Sequence, residues 1–203
     1  MTKKILNRGA EAIIYLDKGK VIKERISKGY RISELDKKII KRRTKAETKI
    51  LKKASEIIHT PKPEDSKEEN IILMPLIKGD KLSEKLNFYS EKKQVEVMKK
   101  IGNSIGKIHN EGIIHGDLTT SNIILKDDQI YIIDFGLGSL NGKYEEKGVD
   151  IHLLKEALES KHFQNSRKLF DAFKTGYESI NKSEAKKVFE RLQAIEKRGR
   201  YRD

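Results

Sequence analysis

The sequence predicts an α+β chain in which a small antiparallel sheet and one long helix precede a mainly helical half carrying a single β-hairpin. Three observations predict it. Short apolar runs, Lys4-Ile5-Leu6, Ala12 to Leu16 and Lys20 to Lys23, are separated by turns around Gly9 and Gly19, the pattern of hairpin-linked strands. From Ser33 to Ile58 apolar residues recur at helical spacing through a highly charged stretch. After Gly79 almost every segment has the period of an amphipathic helix, except within His115 to Gly136, HGDLTTSNIILKDDQIYIIDFG. There the runs Ile123 to Leu125 and Ile130 to Ile133 flank Lys126-Asp127-Asp128-Gln129 and form the hairpin.

Composition narrows the setting. A chain of 203 residues buries one core or divides it between two small lobes. Its 44 Lys+Arg against 31 Asp+Glu, a net charge of +13, favour partners that carry phosphate, whether nucleotide, nucleic acid or anionic lipid. The abundance of Lys, Glu and Ile also fits a protein from a hot environment. With no cysteine, disulfides, zinc fingers and thiol catalysis are excluded, and any metal is bound through oxygen. The amino terminus MTKKIL has no apolar continuation, and the longest apolar stretch, Ile71 to Ile77, is too short to span a bilayer, so no membrane is involved and a cytoplasmic location is expected.

Taken in order, the turn Gly9-Ala10-Glu11-Ala12 is either an ordinary hairpin turn or a loop that presents backbone N–H groups to a phosphate. In the long helix, Ile40, Leu51, Ala54 and Ile58 share a face with Glu47, so a carboxylate interrupts an apolar stripe. Either Glu47 pairs with Lys23 inside the fold, or it turns to solvent and pairs with Arg43 or Lys49. The opposite face, Lys37, Lys38, Lys41, Arg42, Lys45, Lys49, Lys52 and Lys53, is a solvated face or a phosphate-contacting one. Pro61 to Asn70 reads as a turn-rich loop before the strand Ile71 to Met74. The composition changes at Pro75 to Gly79, which is therefore the expected hinge between residues 1–76 and 77–203. Met74, Pro75 and Ile77 leave backbone groups there for a flat heterocycle.

In the second half, Ser90 to His109 is a helix closed by Gly112, and Gly102 and Gly106 within it imply close packing against a neighbour. His109 is expected to be buried and hydrogen-bonded. A helix is expected to begin near Val149, with Asp150 as an N-terminal cap. Two amphipathic helices follow, one with Leu169, Phe170, Phe173 and Tyr177, the other with Val188, Leu192 and Ile195 behind an Asn181/Glu184 capping pair. The basic end, Lys197 to Asp203, is expected to be disordered by itself.

The chemistry gathers in the hairpin. It carries Asn122 and Asp134 to one end, beside Asp117, and makes a place for a hard cation. With Lys23 and Glu47 earlier in the chain, the order Lys, helix Glu, HGDxxxxN, DFG resembles the protein-kinase signature set and implies a minimal two-lobed kinase-like fold. Phosphoryl transfer from ATP demands charge neutralisation: Lys23 for the α/β-phosphates, Asn122 and Asp134 for Mg²⁺, Asp117 to orient the attacking hydroxyl. Gly116 replaces the arginine that reads a phosphorylated activation loop, and there is no APE motif and no long loop after Asp134. Thr119 stands where a γ-phosphate lysine is usual, so slow transfer is expected.

HGDLTTSNIIL, GAEA at Gly9 to Ala12, VIKERISKGYR at Val21 to Arg31, SELDKKIIKRRTKAE at Ser33 to Glu47 and the RGRYR tail resemble the small atypical kinase of the KEOPS complex over nearly the whole chain. Ile32-Ser33 departs from the family's usual His-Pro. The resemblance implies ATP and Mg²⁺ as cofactors and serine autophosphorylation in isolation. It also implies work as an ATPase subunit beside the tRNA threonylcarbamoyltransferase and other KEOPS subunits, in making N6-threonylcarbamoyladenosine, with Gly9, Ala10, Glu11 and Ala12 at the nucleotide. The basic tail, Arg198, Arg200 and Arg202, is expected to meet tRNA or a partner. Two other readings stay open: a small-molecule kinase of the aminoglycoside-phosphotransferase type, against which the short basic C-terminal half argues, and a nucleotide-binding scaffold with little turnover.

Overall fold

The computed structural model describes residues 3–199; Arg200 and Arg202 of the basic tail lie outside the described residues. Strands β1 (Lys4–Arg8), β2 (Ala12–Asp17), β3 (Lys20–Arg25) and β4 (Ile71–Pro75) form one antiparallel sheet in that order. Helix α1 (Ser33–Ala54) buries Glu47, Ile50, Leu51 and Ala54. Its start is held by Asp36, which accepts from Ser27 Oγ (2.7 Å), Lys28 N (3.1 Å) and Arg31 Nη1 (3.1 Å) and so ties down the loop from β3. The helix stops at Ala54 rather than Ile58. Ser55 Oγ donates back to Lys52 O (2.7 Å), and the chain turns before Pro61, although Ile58 still enters the core. Ile40 is only half-buried.

The second half contains β5 (Asp80–Lys81), α2 (Leu82–Lys85), α3 (Glu91–Asn110), β6 (Ile123–Lys126), β7 (Gln129–Ile132), α4 (Tyr144–Lys161), α5 (Ser166–Glu178) and α6 (Lys182–Gly199). β5 pairs with β6, and β6 with β7, in a second antiparallel sheet. The two residues of the hairpin turn, Asp127 (φ 48°) and Asp128 (φ 62°), both take the left-handed conformation that matches the twist of the paired strands. α3 lies so close to α5 that a Cβ on Gly102 would overlap the Phe173 carbonyl, and one on Gly106 would press on Tyr177 O at 3.0 Å. Asn181 Oδ1 accepts from Glu184 N (3.2 Å) at the entry to α6.

Three further expectations change. β5 and α2 carry no periodic signal in the sequence. α4 begins at Tyr144, because Glu146 accepts from Lys143 N (2.8 Å) and caps the helix early, so Asp150 stands inside it and is not its cap. α6 continues through Lys197 and Arg198 to Gly199, so the start of the basic end is helical. Among the described residues no helix is long and apolar enough to cross a membrane.

Candidate active site

On β3, Lys23 and Arg25 are two residues apart and therefore point to the same face, towards α1. Lys23 Nζ donates to Glu47 Oε1 (2.6 Å) and to Asp134 Oδ1 (2.7 Å). Arg25 Nη2 donates to Glu47 Oε2 (2.5 Å). Glu47 is thus buried and doubly paired, and the solvent-facing alternative with Arg43 or Lys49 is set aside. Arg43 instead pairs with Glu11 (2.6 Å). Burial works against the charge on Asp134, but Lys23 and the N–H of Gly136 (3.1 Å) outweigh it and hold the carboxyl below its ordinary range.

The hairpin brings Asn122 and Asp134 to one end, as its register requires. Asn122 Nδ2 donates to Asp117 Oδ2 and Asp117 O, both at 2.9 Å, so acid and amide are held together. His115 is buried against Phe135, with ring centroids 4.7 Å apart; its Nε2 donates to Ile133 O (3.0 Å) and its Nδ1 accepts from Asp117 N (3.2 Å). Below the loop lies Asp150. One carboxylate oxygen accepts from Gly116 N (2.7 Å); the other accepts from His115 N (2.6 Å) and His109 Nε2 (3.2 Å). Burial disfavours the Asp150 carboxylate, but the bonds from His109 and the backbone prevail and keep it ionised below its ordinary value. His109 is buried as expected, its Nδ1 accepting from Tyr177 OH (2.9 Å), and burial lowers its proton affinity. From the other side the buried His162 reaches Thr120 Oγ1 (3.2 Å) and Asn87 Oδ1 (2.6 Å). Asp150 and Arg25 are the two residues sequence reasoning missed. The signal for Asp150 was an acid on the buried face of a helix; for Arg25 it was a second cation in register with Lys23.

Gly116 has φ +82°, and a Cβ there would run into the Leu137 carbonyl, so the local backbone demands glycine.

Two cavities meet at the Lys23–Asp134 pair. The first, about 310 Å³, has apolar walls that include Val21, Met74, Pro75 and Ile77, with Lys23, Glu47, Asn122 and Asp134 at its polar side. The second, about 240 Å³, joins Gly9, Ala10, Glu11 and Ala12 to Lys23, Arg25, Asp117 and Asp134. The apolar cavity suits a flat heterocycle and the polar junction suits phosphate. Arg198 lines neither cavity; it pairs with Glu145 at the start of α4. Among the described residues no group of three or more His, Asp or Glu is placed to cage a metal. The hard oxygens of Asn122 and Asp134 fit Mg²⁺, which takes one or two protein ligands and fills its shell with water and phosphate.

A RIO domain matches residues 13–137. KEOPS complex subunit Bud32 of Pyrococcus abyssi is 40% identical, with 98% of this chain and 97% of that protein covered. A probable serine/threonine-protein kinase BUD32 homolog of Archaeoglobus fulgidus is 40% identical over 95% of this chain and 94% of that one. A probable bifunctional tRNA threonylcarbamoyladenosine biosynthesis protein of Methanothermobacter thermautotrophicus is 38% identical over 98% of this chain but 37% of its own length, so the chain spans about a third of that protein.

Proposed function

The chain belongs to the RIO-domain family of atypical kinases, beside the Bud32 proteins, and from that premise we propose that it is an Mg²⁺-dependent, ATP-using kinase or ATPase subunit of a KEOPS complex. The observation that carries the reading is Lys23 held between Glu47 (2.6 Å) and Asp134 (2.7 Å) where the two cavities meet. Residues 1–76 and 77–203 act as lobes hinged at Pro75 to Gly79, with the nucleotide between them. The adenine takes the apolar cavity by Met74, Pro75 and Ile77, and the phosphates reach the turn at Gly9 to Ala12. Asn122 and Asp134 would hold Mg²⁺, which supplies charge neutralisation on the phosphates. Lys23 grips the α/β-phosphates. Asp117, held by Asn122, orients the hydroxyl or water that attacks.

Transfer of a threonylcarbamoyl group to tRNA is left to a partner transferase, in keeping with the greater length of the bifunctional relatives. The tail, with Arg198, Arg200 and Arg202, faces tRNA or that partner. Mg²⁺-dependent ATP turnover should fall roughly 100-fold or more in Asp117→Ala and Asp134→Ala, alone and with the transferase. Equal turnover in wild type and both variants would remove the catalytic assignment.

A further inference from the structure

The cavity that joins the turn Gly9 to Ala12 with Asp117 and Asp134 has three cations in its wall, Lys23, Arg25 and Arg43. Two of them are committed. Lys23 holds Glu47 (2.6 Å) and Asp134 (2.7 Å), and Arg25, 4% exposed, is sealed against Glu47. Among the described residues the Arg43 side chain pairs with Glu11 alone, through Nη1 (2.6 Å), and it is 27% exposed. A guanidinium is a planar fork of N–H donors, so that bond leaves others to give to a phosphate without Glu11 being released.

The place of Arg43 follows from α1. It lies one helical turn before Glu47, so the buried bonds that fix Glu47 also fix where the arginine starts. Glu11 then draws its head to the turn. That turn is closed by Gly9 N on Ala12 O (3.0 Å) and tied to the end of β3 by Ile26 N on Glu11 O (3.3 Å). A lone carboxylate in a phosphate-facing turn would repel the ligand, whereas one paired with Arg43 aims a cation at it. The far end of a triphosphate needs such a cation from the protein. Lys23 serves the α/β-phosphates, and Thr119 brings no positive charge from the catalytic loop.

We propose that Arg43 is the protein's contact for the γ-phosphate, reaching it from α1 while Nη1 stays on Glu11, in place of the lysine that Thr119 omits. This rests on the nucleotide reading above. Arg43→Met keeps most of the side chain's length without its charge. The full chain and this variant are titrated by calorimetry with ADP and with the non-hydrolysable β,γ-imido analogue of ATP, both with Mg²⁺, at a temperature where nucleotide-free melting shows each folded. Arg43→Met should raise Kd for the triphosphate about tenfold and leave that for ADP within about twofold, so the preference for triphosphate over diphosphate falls about tenfold. A preference within about threefold of wild type overturns the proposal. That holds whether neither affinity moves or both fall together, the second being what an arginine that only tethers the turn would give. If Arg43→Met does not fold, Arg43→Gln takes its place under the same criteria. A wild type that binds neither nucleotide and cleaves no ATP would sink the nucleotide reading itself, an outcome separate from a wild type that binds both and an Arg43 variant with the same preference.

Discussion

At the scale of residues, the site is built from side chains whose partners come from distant parts of the chain. Lys23, Glu47 and Asp134 are legible as motif members, and Lys23 is a predicted partner of Glu47; the second bond of Lys23, to Asp134, appears only in the fold. Asp150 is legible only as an acid on the buried face of a helix, because no pattern in the sequence says that it will reach the backbone of His115 and Gly116. That burial gives the fold a pH dependence whose sign follows from the shifts. His109 and His162 have lower proton affinity in the fold than the ordinary 6.5, chiefly through burial, so the unfolded chain takes up protons the native state refuses. Their contribution to stability is level above pH 6.5 and falls as pH drops below it. Asp150, depressed below 3.8, adds stability that is present above that value and lost as pH falls through its native one. Denaturant unfolding at a series of pH values should show this decline, and His109→Gln should flatten it below pH 6.5, leaving the share of His162. An unchanged slope in His109→Gln would show that the buried imidazole is not its source.

Elements were read best where they were long or strictly periodic. α1, α3, α5, α6 and the β6–β7 hairpin all follow from spacing, because burying one face repeats an apolar residue at a fixed interval. β5 spans two residues and α2 four, too few to repeat anything, and both owe their form to the neighbouring β6. The start of α4 was missed because its cap is Glu146, a residue that reads as one more charge in a polar loop. The α3–α5 contact is the tightest test of packing. Gly102→Ala adds a methyl group where the Phe173 carbonyl already stands, so the helices must separate. The expected cost is about 1–3 kcal/mol in denaturant unfolding, against the gain an alanine brings to an unencumbered helix. A stabilised variant would mean that the two backbones are not in contact.

At the scale of the molecule, the net charge of +13 is unevenly committed. On α1, Lys41 pairs with Glu69 and Lys52 with Asp65 across a facing acidic loop, which answers part of the basic run with local neutralisation. The proposed contact with tRNA is assigned to the basic end from its sequence; within the described residues Arg198 there pairs with Glu145. Deleting Arg198 to Asp203 should weaken tRNA-linked activity and lessen its dependence on salt while leaving ATP affinity intact, since each lost phosphate contact removes close to one unit from the slope of log affinity against log salt. An unchanged tRNA response would return the tail to solvent. The contact between Gly116 and the Leu137 carbonyl sets a limit of another kind. Mutation proceeds one residue at a time, and no single exchange at position 116 can install an arginine there, because the short segment after Gly136 would have to be rebuilt in the same step. An arginine that reads a phosphorylated loop from position 116 would therefore need the segment that carries Leu137 to change along with it.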